Sequence, residues 1–94
     1  MLSLDDVLRP AQGVISRETG SELVLVLADE GRFLVLNDTG AQIWQLADGQ
    51  RSLGDIAVVL AETWHIESGL AEGDVLRLAG QLVDRSALVK TEIA

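Results

Sequence analysis

The sequence predicts an α+β domain in which a three-stranded antiparallel sheet is followed by three helices. Short apolar segments separated by turn residues come first, and the apolar spacing lengthens to a helical period after Leu36. The connections between the strands are short, and short connections join antiparallel strands. A chain of 94 residues, 48% of them apolar, is large enough for one hydrophobic core.

The predicted strands occupy residues 14–18, 23–28 and 32–36. The letters TGS form the first turn, and DEG forms the second, with Gly31 suited to the left-handed position of a hairpin loop. Residues 1–12 are expected to form a loosely tied N-terminal arm, since Pro10 interrupts regular structure.

Each predicted helix is marked by a local signal. Asn37 is a favourable N-cap for the first helix, and Gly49 follows its end. Ser52 and Asp55 match a capping box at the start of the second helix, whose apolar stripe comprises Leu53, Ile56, Ala57, Leu60 and Trp64. After a break, a third helix is predicted over residues 70–84, and the apolar residues 87–89 are expected to fold back on the core.

Composition excludes several classes of partner. Seven basic residues against fifteen acidic ones give a net charge of −8, whereas nucleic acids and anionic membranes require clustered basic side chains. The chain has no cysteine, and it lacks the basic start and long apolar core of a signal peptide. We therefore expect a cytoplasmic protein that contacts neither nucleic acid nor membrane.

The third strand is apolar at every position from Phe33 to Leu36. An apolar strand at a sheet edge invites pairing with another chain, and neither Lys nor Pro interrupts this one. Two interpretations stay open. Either the sheet is buried on both faces, by helices and by the N-terminal arm, or the strand is an open edge to which a peptide adds.

The third helix carries two apolar stripes instead of one. The first comprises Val75, Leu78, Ala79 and Leu82, and the second comprises Leu76, Ala79, Gly80 and Val83. One stripe suffices to dock a helix on a core, although a wide core contact also explains two. An apolar trough at the second stripe, beside an apolar edge strand, would form a groove for a peptide.

No catalytic or metal-binding pattern is found in the sequence. His65, the single histidine, follows Trp64 at a helix end and is expected to be a capping or surface residue. Serines and threonines occur without a partner base, and the chain has no glycine-rich phosphate loop. We therefore expect no cofactor, no metal and no enzymatic activity. Trp44 and Trp64 are expected to pack in the core, although either ring edge could help to floor a groove.

Two segments together resemble the PqqD-like family, which includes the recognition elements of ribosomally synthesised and post-translationally modified peptide (RiPP) pathways. They are "FLVLNDTGAQIWQLADGQRSLGDIAVVLAETW" and "GDVLRLAGQLVDRSALV". The matching positions are Leu36, Asn37, Thr39, Ala41, Ile43, Trp44, Gly49, Ser52, Ile56, Ala57, Leu60, Asp74, Val75, Leu78, Leu82, Leu88 and Val89. The resemblance implies a PqqD-like domain over residues 13–90, between the arm and a tail at 91–94.

The resemblance also implies a winged helix-turn-helix-like fold and a function. A precursor's leader peptide would pair in extended form with the third strand and pack against the third helix. By position, the groove would be lined by Arg32, Phe33, Leu34, Val35, Leu36, Leu76, Ala79, Gly80 and Val83. The protein would be a non-catalytic chaperone that presents the leader to a modifying enzyme.

One departure affects the pathway. Family members devoted to pyrroloquinoline quinone (PQQ) synthesis tend to carry a Pro-Glu-Arg-like segment before the third strand and lack the Trp of the first helix, whereas this chain has "ADEGRF" and Trp44. The departure favours a lasso-peptide or radical-SAM system, with a radical-SAM enzyme or a leader peptidase as partner. The alternatives are an acidic winged-helix DNA-binding regulator and a structural subunit that forms a homodimer through its third strand.

Overall fold

The computed structural model describes residues 2–20, 22–27 and 31–91, which form five strands and three helices. In chain order these elements are β1 (Leu8–Pro10), β2 (Val14–Thr19), β3 (Glu22–Leu27), β4 (Arg32–Leu36), α1 (Asp38–Leu46), α2 (Leu53–Trp64), α3 (Ser68–Asp84) and β5 (Leu88–Lys90). The predicted α+β class, with a three-stranded antiparallel sheet followed by three helices, is confirmed, and a short strand that was not predicted precedes the sheet.

The main sheet is an antiparallel meander in the order β2-β3-β4, as the short connections predicted. In the central strand, Leu23, Leu25 and Leu27 are buried and alternate with less buried valines. The buried leucines define the inner face, which packs on the helices. The predicted second strand reached one residue further, to Ala28, which lies outside the described residues, as do Ser21, Asp29 and Glu30 of the predicted turns.

The predicted helix caps are confirmed in the first two helices. The Asn37 side chain accepts a hydrogen bond from the Gly40 backbone N–H at 2.9 Å, and the Ser52 hydroxyl accepts one from the Asp55 N–H at 3.1 Å. His65 ends α2 in the left-handed conformation, with φ of 54°, as a capping residue. The third helix begins at Ser68, two positions before the predicted start at 70. No side-chain hydrogen bond caps its first turn, so the sequence carried no local signal for this start.

The N-terminal arm is not loosely tied, so this expectation was wrong. Leu8 is fully buried, and β1 pairs antiparallel with β5 in a second, two-stranded sheet. The Leu8 carbonyl accepts a hydrogen bond from the Gly49 N–H, and the Asp6 carbonyl accepts one from the Leu53 N–H, each at 2.9 Å. The arm therefore holds the start of α2, and the C-terminal segment folds back to pair with the arm.

The core lies between the inner face of the main sheet and the three helices, and Trp44 is buried in it. The expectation that Trp64 packs in the core was wrong, since this side chain is 39% exposed. Trp64 is the last residue of α2, and its indole N–H donates a hydrogen bond to the Gln42 side-chain oxygen at 2.6 Å. None of the helices in the described ranges is both long and apolar enough to cross a membrane.

Candidate functional site

Strand β4 forms one edge of the main sheet. Its register with β3 places Val35 opposite Val24 and Phe33 opposite Val26, and within the described residues no strand pairs with its other side. Phe33 is 68% exposed and Val35 is 50% exposed, so the sheet is not buried on both faces. The sequence left open whether the sheet is buried on both faces or whether the third strand is an open edge. The structure agrees with an open apolar edge at β4.

A cleft of about 460 Å³ runs between this edge and α3. Backbone and side chains of β4 form one wall, the start of α1 forms the end, and α3 forms the other wall. The lining residues are Glu22, Leu34, Val35, Leu36, Asn37, Thr39, Gly40, Ile43, Asp74, Arg77, Leu78, Gln81, Leu82 and Arg85. Apolar groups thus lie at the floor, with polar and charged side chains of α3 at the rim.

A close approach of three elements forms one end of the cleft. Gly40, buried in the first turn of α1, has no side chain, and a Cβ at this position would lie 3.3 Å from Leu36 Cβ and 3.4 Å from Leu78 Cδ2. The Asn37 cap fixes the same turn, because its side-chain oxygen accepts a hydrogen bond from the Gly40 backbone N–H. The end of β4, the start of α1 and the middle of α3 therefore meet at this point.

The predicted groove residues of α3 do not line this cleft. Leu76, Gly80 and Val83 are half-buried and Ala79 is fully buried, and none of the four lines the cleft. Leu78 lines it instead, two positions from Leu76 and hence about 200° away around the helix axis. The two predicted stripes are the two flanks of one buried face, and β4 lies beside the flank of Leu78.

The strand part of the predicted groove and the cleft overlap only partly. Leu34, Val35 and Leu36 line the cleft, whereas Arg32 and Phe33 lie on the same strand outside it. Five lining residues of α3 were not among the predicted groove residues, namely Asp74, Arg77, Leu78, Gln81 and Leu82, and neither was Arg85, which follows the helix. Leu78 and Leu82 belong to the first apolar stripe, so the sequence carried a signal for them. The other four are polar or charged, and only the packing of α3 on the sheet reveals their position.

The charges along α3 do not suit a phosphate backbone. Arg77 is its single basic residue, and its guanidinium donates to the Asp74 carboxylate at 2.9 Å. Both side chains are largely exposed, so this pair contributes little to stability. A recognition helix needs several free basic groups to neutralise phosphates. The cleft instead combines apolar groups with two arginines, Arg77 and Arg85, and two acidic residues, Glu22 and Asp74.

A second, smaller cleft of about 360 Å³ lies on the other side of α1. Trp64 lines it together with Gln42 and Thr63, so one of the two tryptophans does border a groove. The Gln42 amide links the two, since it also donates to the Thr63 hydroxyl at 3.0 Å. Across the described ranges, no three side chains of the His, Cys, Asp or Glu type are grouped to hold a metal ion.

Comparison with known proteins gives a family and a fold. The model of the family described as coenzyme PQQ synthesis protein D (PqqD) matches residues 22–88, well over half of the chain. A search of curated proteins gave no match.

Solved structures with the same fold include three of direct interest. A lasso peptide synthetase B1 complexed with the leader peptide is 26% identical, with a TM-score of 0.80 over 88% of this chain and 98% of that one. The PqqD truncation of Methylobacterium extorquens PqqCD, described as a functional and stand-alone RiPP recognition element, is also 26% identical, with a TM-score of 0.80 over 95% of each chain. TbiB1 in complex with the TbiA(beta) leader peptide is 19% identical, with a TM-score of 0.80 over 90% of this chain and 99% of that chain, and it supports the fold alone.

Proposed function

Because this chain belongs to the PqqD family, we propose that it binds the leader of a ribosomally made precursor peptide and presents it to a modifying enzyme. The leader adds to β4 as a further strand, and the protein itself performs no chemistry. Two solved structures of this fold are complexes with leader peptides, and a third is described as a stand-alone recognition element.

The observation that carries the proposal is the exposed apolar edge of β4 beside the cleft. An edge strand offers a row of backbone N–H and C=O groups, and an extended peptide satisfies them. Proteins usually protect such an edge with Lys, Pro or a bulge. In β4, the residues from Phe33 to Leu36 carry none of these protections, which is expected where pairing with another chain is the function.

The proposal assigns different roles to the predicted residues. The backbone of β4, from Arg32 to Leu36, provides the hydrogen bonds. Leu34, Leu36 and Leu78 receive apolar side chains of the leader in the cleft. A role for Leu76, Ala79, Gly80 and Val83 in binding stays a prediction, and their place on the other flank of α3 favours a structural contribution instead.

The expected affinity suits a transient carrier. Four or five strand hydrogen bonds contribute about 0.5–1.5 kcal/mol each, and two buried apolar side chains add about 1.5–3 kcal/mol each. Ordering a flexible peptide on binding costs several kcal/mol of the binding free energy. The remainder corresponds to dissociation constants from micromolar to high nanomolar, since 1 μM is about −8.2 kcal/mol.

The partner enzyme depends on the pathway. Trp44 and the segment before β4 depart from PQQ-dedicated members of the family, and a lasso peptide synthetase subunit is among the similar structures. We therefore infer a lasso or radical-SAM system, with a leader peptidase or a radical-SAM enzyme as the partner. Pairing of β4 with a second copy would compete with the leader for the same edge.

Calorimetric titration of a precursor leader encoded beside this gene tests the proposal and the choice of helix flank. Leu78→Gln removes an apolar contact from the cleft, and we expect affinity to fall by about tenfold or more, because such a contact is worth about 1.5–3 kcal/mol. Leu76→Gln is the matched control, since both leucines are half-buried on the same helix. It should change affinity less than twofold.

Two results would count against this account. If titration of the leaders encoded nearby into the protein gives no heat of binding, the proposed function fails. If Leu76→Gln weakens binding and Leu78→Gln does not, the leader occupies the other flank of α3. Circular dichroism and thermal melting of both variants separate lost binding from lost folding.

A further inference from the structure

The main sheet has a second apolar surface, on the side away from the helices. We call it the outer face, and its apolar residues are Ile15, Val24, Val26, Phe33 and Val35, the last of which also borders the cleft at the strand edge. The strand registers join these residues into rows that cross the sheet: Ile15 lies opposite Val26, which lies opposite Phe33. In the second row Val24 lies opposite Val35 on one side and opposite the charged Arg17 on the other, so the apolar part of this row is confined to β3 and β4. Both rows end at β4.

The outer face is not covered by the part of the chain that the structure describes. The helices pack on the inner face, and the N-terminal arm pairs with β5 in a separate sheet. Phe33 is therefore the most exposed of the large apolar side chains in those ranges, followed by Leu70 on α3. The solvent side of an antiparallel sheet is ordinarily polar, so this apolar surface is a candidate docking site.

The size of the outer face argues against a second copy of the chain as that partner. Ile15, Phe33 and Val35 are half to two-thirds exposed and together offer on the order of 300 Å² of apolar area, given about 150–250 Å² for a whole phenylalanine. A stable interface buries about 800 Å² on each partner. A single added strand needs far less area, because its backbone also forms hydrogen bonds with the edge.

The position of the rows indicates which partner fits. A strand added to β4 places every second side chain on the outer face, directly beside Phe33 and Val35. Its intervening side chains enter the cleft toward Leu34 and Leu78. Both rows of the outer face thus continue without a break into a bound peptide.

We infer that the leader recognised by this chain carries apolar side chains on both faces of its bound strand, so that its outward residues extend the two rows over Phe33 and Val35. This inference rests on the proposed function and specifies its ligand. The recognised segment is a run of consecutive apolar residues, β-branched or aromatic, whereas a strand held by the cleft alone would alternate apolar and polar residues.

Selection from a displayed library of random ten-residue peptides tests the inference without knowledge of the natural precursor. The full-length wild-type protein and the double variant F33T/V35T serve as separate targets, since threonine retains strand propensity. We expect the wild type to select peptides with apolar residues at adjacent positions. Those peptides should bind the double variant about tenfold more weakly, because two apolar cross-strand pairs are lost.

Val58→Thr is the matched control, because Val58 is exposed on α2, away from the sheet. It should leave the affinity of the selected peptides unchanged. Selected peptides that alternate in polarity and bind F33T/V35T within twofold would overturn the inference while leaving strand addition intact. Selected peptides whose binding is insensitive to Leu78→Gln, or failure to select any peptide, would instead count against the proposed function.

Sedimentation of the free protein tests whether a second copy of the chain, instead of a peptide, covers the outer face. A wild type that is dimeric at micromolar concentration, with a monomeric F33T/V35T, would assign the outer face to a second copy and overturn the inference. We expect both proteins to sediment as monomers in the absence of peptide.

Discussion

At the scale of single residues, two side chains connect the strand edge and the arm to the rest of the fold. Asn37 follows the last residue of β4 and caps α1, so one side chain fixes both the end of the strand and the start of the helix. Asp6 lies in the N-terminal arm, where its carboxylate accepts a hydrogen bond from the Ser3 N–H at 2.8 Å and lies 3.5 Å from the Lys90 ammonium.

Substitution Asn37→Ala removes the acceptor for the Gly40 N–H and should lower the free energy of unfolding by about 1 kcal/mol. Asn37→Asp is the control, since aspartate also accepts this hydrogen bond and places a negative charge at the helix start. Urea denaturation measures both. An equal loss in the two variants would show that the cap does not stabilise the junction.

The charge of Asp6 should make stability depend on pH. The hydrogen bond from the Ser3 backbone, and secondly the Lys90 charge, hold the pKa of this carboxyl below its ordinary value, although partial desolvation opposes the shift. Because the pKa of Asp6 is lower in the folded than in the unfolded state, its ionised carboxylate stabilises the fold at pH values above the unfolded-state pKa. This stabilisation is lost as the pH falls through the folded-state pKa.

Asp6→Asn should therefore be less stable than the wild type near neutral pH, with the difference vanishing in acid below the folded pKa. Denaturant midpoints measured from neutral pH downward check this expectation. Asp5→Asn removes the same charge at the neighbouring position and leaves the Ser3 hydrogen bond in place. A difference between the wild type and Asp6→Asn that persists unchanged in acid would contradict the assignment.

At the scale of elements, local signals predicted most of the secondary structure. Asn37 and Ser52 marked the starts of α1 and α2, and β4 has the predicted bounds. The pairing of β1 with β5 was not predicted, because three-residue strands far apart in the chain carry no local pattern. Their stability comes from tertiary contacts, of which the buried Leu8 is the clearest.

Local sequence patterns also do not determine which side of α3 faces β4. Leu76 and Leu78 have equal hydropathy and lie on opposite flanks of the buried face, so periodicity alone does not tell which of them faces β4. The contact of α3 with Gly40 and Leu36 decides it. The sequence therefore placed β4 beside the cleft, whereas the predicted residues of α3 lie on the flank that does not line it.

Two glycines inside α3 provide a prediction at this scale. A Cβ added at Gly73 or Gly80 would meet no atom within 4 Å, and glycine in a helix interior costs about 0.5–1 kcal/mol relative to alanine. Gly73→Ala and Gly80→Ala should each raise the free energy of unfolding by about that amount. Chemical denaturation measures the gain.

Gly80→Ala has a second readout, since Gly80 belongs to the flank that the sequence had favoured. Because this flank does not line the cleft, leader affinity should be unchanged in the variant. A fall in affinity with increased stability would indicate that the leader packs into a trough at Gly80. Gly73→Ala is the control for the effect of helix stability itself.

At the scale of the whole molecule, the fold leaves one sheet edge unpaired and places apolar surface on both of its sides. The inner cleft and the outer face meet at β4, and the chain's net charge of −8 lies mostly elsewhere. The PqqD family membership and the leader complex of a similar structure agree with a peptide-binding role for such an edge.

The most direct test of this account is amide hydrogen exchange, followed by NMR, in the free protein and in the presence of the precursor leader. Pairing of the leader with β4 predicts that alternate amides in residues 32–36 exchange more slowly, because they become donors to the added strand. The amides of Leu78 and Gln81 should shift at the same time. A bound leader that slows no amide in β4, with changes confined to the cleft of Trp64 or to the flank of Leu76, would contradict strand addition.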